Sequence, residues 1–308
     1  MAIPGYQDFM LPLLNLASDS KEHTIVEALD VIARQMNISE EERKSMLPSG
    51  TQSRFYNRVT WALTYLSKSL LLQKVARGTF EIAPRGMEVL HQNLKRIDNA
   101  FLGQFAEFQS FTSDKPVIAN AADGQSLHET NSEDIATPDE RLEVAYKELR
   151  GTLSSDLLER VRDNTDKFFE HLVVDLLVAM GYGGSQSDRG RVVGKSGDGG
   201  IDGIIQEDQL GLDMVYIQAK KWKESVGPDE IRKFVGSLGE QKAHKGVFIT
   251  SGTFTEGARR AADKANAKVV LIDGQQLVQL MMDHGIGVTN HKSYIIKKLD
   301  NDYFDIPV

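Results

Sequence analysis

Cysteine is absent from all 308 residues. Disulfides and thiolate zinc sites are therefore excluded, and the absence fits a reducing cytoplasm. No apolar run is long enough to span a bilayer, and the N-terminus has no signal-like pattern. No spacing among the histidines suggests a zinc site. Internal repeats and coiled-coil heptads are missing as well. The Gly-rich stretch at 194–203 lacks the G-x-G-x-x-G spacing and a strand-then-helix setting, and it has no Walker Lys-Ser/Thr pair. ATP or NAD binding is therefore not indicated. Positive charge is also short: 36 Lys and Arg face 44 Asp and Glu, a formal net charge of −8. That balance looks wrong for a nucleic-acid binder, but its distribution qualifies it. Residues 51–100 carry eight Lys or Arg against three acids, a net of +5, and residues 101–150 carry four against ten, a net of −6. A phosphate responds to the local field, not to the whole-chain sum.

A chain of 308 residues with 41% hydrophobic content suits two packed domains. In the first third, helical spacing predicts helices over 7–16, 24–36 and 53–70, with a short one starting at the capping box Ser39-Glu40-Glu41-Glu42. Strands over 72–74 and 79–82 form a hairpin around Ala76-Arg77-Gly78. Helices followed by a hairpin with a basic tip is the order of a winged helix-turn-helix. Arg54, Asn57 and Arg58 near the start of the long helix, with Arg77 on the wing, are the candidate DNA contacts. Winged helices also serve protein contacts, and these charges would then be plain surface. Residues 112–136 are polar and show no periodicity, as a linker would. Thr137-Pro138-Asp139-Glu140 then announces a helix: Thr caps, Pro takes the first turn and Glu completes the box. The expected division is 1–110, a linker at 111–137, and a second domain at 138–308. That domain reads as helices over 154–162 and 165–180, then strands and helices in alternation. It predicts an α/β domain with a mixed central sheet.

The chemistry concentrates in two short strands. One lies in Ser196-Gly197-Asp198-Gly199-Gly200-Ile201-Asp202-Gly203-Ile204-Ile205 and carries Asp202; the other is Met214-Val215-Tyr216-Ile217-Gln218-Ala219-Lys220. Side chains alternate across a strand, so Tyr216, Gln218 and Lys220 share a face opposite Val215, Ile217 and Ala219. A carboxylate at Asp202 on the neighbouring strand can meet the Gln218 amide oxygen and the Lys220 ammonium. Such a group can hold a hard cation through oxygen and set a water against a phosphodiester. Alone, Asp202 would be a solvated turn aspartate and Gln218 an ordinary strand-end polar residue; their joint spacing with Lys220 favours a site. Asp198 reads first as a turn residue. Lys221 and Lys223 read as solvated charges at the strand end, and Trp222 as packing. Ser251-Gly252-Thr253 is either a phosphate-binding helix start or a plain N-cap turn. Glu170 lies in the largely apolar helix around Phe168 to Leu177, where a charge needs a partner. It is either a site carboxylate or a surface residue at the edge of the stripe. His171, about a third of a turn away, reads as structural.

This arrangement resembles the PD-(D/E)xK nuclease superfamily, in the variant with Gln at the second acid. More narrowly, Gly197-Asp198-Gly199-Gly200-Ile201-Asp202-Gly203 with Tyr216-Ile217-Gln218-Ala219-Lys220-Lys221-Trp222 resembles the Mrr family of type IV restriction endonucleases. Gly246-Val247-Phe248-Ile249-Thr250-Ser251-Gly252-Thr253-Phe254-Thr255 matches the strand and turn that follow in that family, and the N-terminal third is similar to its winged helix. The resemblance implies a restriction-endonuclease-like domain beside a smaller winged helix. It implies Mg²⁺ or Mn²⁺ at Asp202, Gln218 and Glu170, catalysis by Asp202, Gln218 and Lys220 with Glu170 as auxiliary, and modified double-stranded DNA as substrate. It also implies a homodimer or higher homo-oligomer on DNA, no membrane partner and a cytoplasmic setting. The rival readings are a repair or junction-resolving nuclease with the same core, and a DNA-binding regulator whose nuclease fold is inactive. The sequence predicts preferential proteolysis between 112 and 136; N-terminal sequencing of limited digests checks this, and first cuts inside 140–290 would overturn the boundary.

Overall fold

Side-chain helix caps, of which Ser39 was expected from the sequence, organise the N-terminal unit. The structure is a computed structural model describing residues 3–113, 136–183, 201–208, 212–300 and 303. Asp198 and most of the expected linker (114–135) lie outside the described residues. A 3-10 turn at Tyr6–Phe9 runs into α1 (Met10–Leu16). Strand β1 (His23–Thr24) precedes α2 (Ile25–Gln35), where Thr24 Oγ1 accepts the Glu27 N–H. The Ser39–Glu42 capping box starts α3 (Glu40–Lys44), and Ser53 caps α4 (Arg54–Lys68). Strands β2 (Leu72–Ala76) and β3 (Thr79–Ile82) form the wing hairpin, and β1 adds antiparallel to β3, giving the order β1-β3-β2. Gly78, at φ +70°, takes the left-handed turn conformation that glycine adopts without strain. Then come α5 (Pro84–Leu90), α6 (Asn99–Leu102) and α7 (Ala106–Ser113), for which no helix was expected. Phe9, Phe55, Phe80, Leu13, Ile32 and Leu66 are fully buried at the centre. Helices followed by a hairpin, closed by a third short strand, is the winged-helix arrangement.

Helix α8 (Pro138–Asp163) is continuous, whereas the sequence suggested a helix start at 138 and a separate helix at 154–162. Gly151 lies inside it, and a single interior glycine weakens a helix by only about 1 kcal/mol. The compact units are Met1–Lys147 with Lys298–Val308, and Glu148–Lys297. The first turns of α8 thus belong with the winged helix, ten residues beyond the boundary expected at 137/138.

The second unit continues with α9 (Asp166–Ala179), β4 (Gly203–Gln206), β5 (Met214–Lys220), β6 (Ser225–Val226) and α10 (Pro228–Glu240). It ends with β7 (Lys245–Thr250), β8 (Thr253–Phe254), α11 (Glu256–Asp263), β9 (Lys268–Ile272) and α12 (Gly274–Asp283). The main sheet runs β4-β5-β7-β9, with β4 antiparallel to β5 and the other pairs parallel. This is the expected mixed sheet. The alternation along β5 separates two apolar cores. Val215, Ile217 and Ala219 pack with the second half of α8 and with α9 and α12. Tyr216 belongs to the core of Phe234, Phe248 and Phe254, formed with α10 and α11. Both faces of the sheet are covered, so a polar residue in an interior strand has to find a partner.

Candidate active site

The register of β4 on β5 sets the site. Gly203 lies opposite Ile217, so Asp202, one step earlier, lies beside Gln218. The Asp202 backbone N–H donates to the Ile217 carbonyl at 2.8 Å. Its carboxylate Oδ2 accepts the Ala219 N–H at 2.8 Å. Main chain and side chain of one residue therefore grip both residues flanking Gln218. Burial pushes the Asp202 carboxyl above its ordinary value, against the opposing pull of the Ala219 N–H and the positive charge of Lys220. Gln218 is 4% exposed, and its Oε1 has no hydrogen-bond partner among the described residues. A buried amide oxygen left without a donor is costly, and a cation beside the Asp202 carboxylate would satisfy it. Lys220 follows on the same face, half-buried at the strand end.

The structure therefore brings Asp202, Gln218 and Lys220 together. Glu170 sits half-buried on α9, whose apolar stripe covers the Ile217 face of the sheet, and no described contact joins it to the other three. Among the described residues no three His, Cys, Asp or Glu converge to hold a metal. The described protein donors are thus one carboxylate and one amide oxygen. That set fits a hard divalent ion whose remaining positions are filled by water and phosphate oxygen. His171 Nδ1 lies 2.7 Å from the Lys167 carbonyl of its own helix, a structural contact.

Three expectations near the strand end are corrected. Lys221 is not a solvated charge: its side chain is 19% exposed, and its ammonium donates to the Arg162 and Asn164 carbonyls at 3.2 and 2.6 Å. Trp222 lies beyond the end of β5 and is 40% exposed rather than packed. Ser251 does not cap a helix, since Thr255 is the N-cap of α11. Ser251 is fully buried; its carbonyl receives two N–H groups of Arg162 at 3.0 and 2.7 Å, and its hydroxyl donates to the Trp222 carbonyl at 2.9 Å. Arg162 and Thr250, whose hydroxyl donates to the Lys220 carbonyl at 2.9 Å, escaped the sequence reading. Their partners are 89 and 30 residues away, and no local spacing announces such contacts.

The proposed DNA-contacting residues of α4 face their own chain. Asn57 is 1% exposed; its Nδ2 donates to Asp139 at 2.7 Å, and its Oδ1 accepts the Thr137 hydroxyl at 2.6 Å. Arg58 pairs with Glu140 at 2.9 Å and also donates to the Ile3 and Pro4 carbonyls. Arg54, 40% exposed, reaches Glu140 at 3.2 Å, and Trp61 Nε1 donates to Asp139 at 3.1 Å. As placed, Asn57 and Arg58 have no free edge for a base. Arg77 is exposed on the wing.

With this geometry established, comparison with known proteins places the chain. Residues 161–281 match the Mrr_cat family model, described as a restriction endonuclease, and residues 6–92 match the Mrr N-terminal domain. The chain is 34% identical over 314 residues to the type IV methyl-directed restriction enzyme EcoKMrr of Escherichia coli K12, covering 99% of this chain and 100% of the relative. Two solved structures align weakly. MspJI restriction endonuclease in complex with a 27-mer oligonucleotide shares 22% identity over 51% of this chain and 35% of its own, with a TM-score of 0.30. The DNA modification-dependent restriction endonuclease AspBHI shares 17% over 70% and 56%, with a TM-score of 0.36. At those scores neither superposition carries an argument.

Two outcomes follow from the geometry. A carboxyl whose folded value lies above its unfolded one holds its proton more tightly in the fold, so its ionisation weakens the fold. Metal-free stability should therefore fall as pH rises through the Asp202 value. Asp202→Asn keeps an acceptor for Ala219 and cannot ionise. In EDTA at neutral pH its unfolding midpoint should exceed that of wild type, with the gap closing as pH is lowered; an unchanged midpoint would remove burial as the cause. In the N-terminal unit, Glu140→Ala leaves Arg58 buried without its carboxylate. Breaking such a pair costs about 3–5 kcal/mol, and the Ile3 and Pro4 carbonyls should hold the loss near about 3. Urea unfolding of the full chain checks this, and adding Arg58→Met should recover part of the loss.

Proposed function

Because the chain belongs to the Mrr family of restriction endonucleases, we propose that it is a metal-dependent endonuclease that hydrolyses phosphodiester bonds of modified, chiefly methylated, double-stranded DNA. The observation that carries this reading is the orphaned Gln218 oxygen beside a half-buried Asp202 and on the face of Lys220. The relative's printed name, a methyl-directed restriction enzyme, supports the choice of substrate.

Asp202 and Gln218 would hold a divalent cation, Mg²⁺ or Mn²⁺, through oxygen, with Glu170 as a further carboxylate. Such an ion, when bound, activates water and offsets charge on the phosphate. Asp202 is held ready because Ala219 already engages one carboxylate oxygen, leaving the other for binding. Lys220 orients the attacking water or assists its deprotonation, and it stabilises the negative charge that builds on the phosphate oxygens. Gln218 contributes no charge, so Lys220 is opposed by one fewer anion than in sites with two acids. In the N-terminal unit, DNA docking falls chiefly to the wing through Arg77, with the half-exposed Arg54 at the start of α4 as a second contact. Asn57 and Arg58 act from behind by holding residues 137–140. Cutting both strands takes two active sites, so the working species is a homodimer or higher homo-oligomer on DNA, in the cytoplasm where foreign DNA arrives.

Matched plasmids, methylated and unmethylated, with Mg²⁺, Mn²⁺ or EDTA, test the reading. Cleavage should require the metal and favour the methylated plasmid. Asp202→Ala and Lys220→Ala should each abolish it in folded protein, Gln218→Ala should be strongly impaired, and Gln218→Glu should keep activity or shift the metal preference. Wild-type cutting by either folded Asp202→Ala or Lys220→Ala would sink the site assignment, and equal cutting in EDTA would sink the metal. Arg77→Glu should weaken DNA binding and flatten its salt dependence, read by fluorescence anisotropy across a salt series.

A further inference from the structure

We propose that Lys221 is a positioning residue whose ammonium pegs the end of β5 and so holds Lys220 in its working place; the proposal rests on the reading of Asp202, Gln218 and Lys220 as the hydrolytic site. Lys220 ends β5 on the Gln218 face by strand alternation, whereas Lys221 lies just past the strand end and reaches the end of α8. The Lys221 ammonium donates to the Arg162 carbonyl at 3.2 Å and the Asn164 carbonyl at 2.6 Å, and it forms an ion pair with Asp166 Oδ1 at 3.4 Å. The two carbonyls lie at and just past the C-terminal end of α8, where helix carbonyls lack partners and the helix dipole is negative. A cation belongs there, and an uncharged side chain would leave those carbonyls short of a donor.

The peg closes a ring of contacts around Lys220. Arg162, whose carbonyl holds Lys221, sends its guanidinium to the Ser251 carbonyl. Ser251 returns its hydroxyl to the Trp222 carbonyl and its N–H to the Lys220 carbonyl at 3.3 Å. The Lys220 carbonyl also accepts the Thr250 hydroxyl at 2.9 Å and the Trp222 N–H at 2.9 Å. Glycine is required where the ring is tightest. A Cβ on Gly252 would lie 2.2 Å from the Glu224 carbonyl oxygen, and one on Gly274 2.4 Å from that of Ser251. The backbone on both sides of Lys220 is thereby fixed. With Lys221 seated against α8, the strand's alternation directs Lys220 to the Gln218 face.

The test uses the full chain as wild type, Lys221→Met, Lys221→Arg and Thr250→Val, with Asp202→Ala and Lys220→Ala as references. Three readouts are needed: single-turnover cleavage at saturating protein, affinity for the same duplex in EDTA, and amide hydrogen exchange without DNA or metal. Misplacing a reacting group by about 1 Å can lower a rate by about a hundredfold. Lys221→Met should lose about tenfold to a hundredfold in cleavage rate while its affinity in EDTA stays within about twofold. Its amides at 218–222 and 251–252 should exchange faster, while those inside β9 stay unchanged. Lys221→Arg, which can still donate to the carbonyls, should restore most of the rate. Thr250→Val should lose rate in the same direction, which keeps the ring testable if Lys221→Met does not fold. Wild-type rate or unchanged exchange in folded Lys221→Met overturns the proposal, as does loss of affinity in parallel with rate, which would make Lys221 a DNA contact. If Asp202→Ala and Lys220→Ala themselves cut normally, the hydrolytic reading has failed instead, and the exchange data still decide whether Lys221 is the peg.

Discussion

Asp202 is held by two hydrogen bonds to β5, one from its main chain and one to its side chain. The rest of the second unit depends on that grip. A one-residue slip of β4 against β5 would turn Asp202 away from Gln218 and drive Ile205 out of its core. The apolar alternation of both strands opposes such a slip, because Ile205, Val215 and Ile217 are buried together. Packing on one face thus fixes the chemistry on the other. A half-buried carboxyl, pushed upward by desolvation, and an unsatisfied amide oxygen both weaken the bare fold. The surrounding cores offset both costs, and a cation bound there would add to the stability of the folded state.

The N-terminal unit solves a different electrostatic problem. Its basic stretch is followed by an acidic one, and the fold brings parts of the two together through Asp139 and Glu140 on Asn57, Arg58 and Trp61. Buried pairs of this kind add little stability compared with apolar packing but are sensitive to the loss of one member. Their effect here is specificity of place. They tie the first turns of α8 to α4, while Lys74 and Arg77 stay exposed on the wing. The whole-chain charge of −8 is in this respect misleading, since Glu140 faces Arg54 and Arg58 and not solvent.

Much of the architecture was legible beforehand because it is local. Ser39 and Thr137 form the capping boxes expected of them, since a cap depends on residues three apart, and the helices expected to begin at Thr24, Ser53 and Thr165 start directly after those residues. β3 falls on the expected residues, because apolar runs between turns announce strands. The shared face of Gln218 and Lys220 follows from strand alternation alone. Helices α5 to α7 have short apolar patterns that make sense only against the core they cover, and residues 141–153 of α8 carry no buried apolar stripe to join its two ends.

By itself the sequence determined the order of elements, the spacing of Asp202, Gln218 and Lys220, and the resemblance that these carry. Each is a matter of neighbours along the chain or of period along a strand. Tertiary structure decided what those residues and their neighbours meet. It put Lys221 on the end of α8, Arg162 on Ser251 and Arg58 on Glu140, across separations of 57 to 89 residues. Such partners are chosen by the packing of whole elements. A charge with no local partner reads the same in sequence whether it ends in solvent, on DNA or on its own backbone.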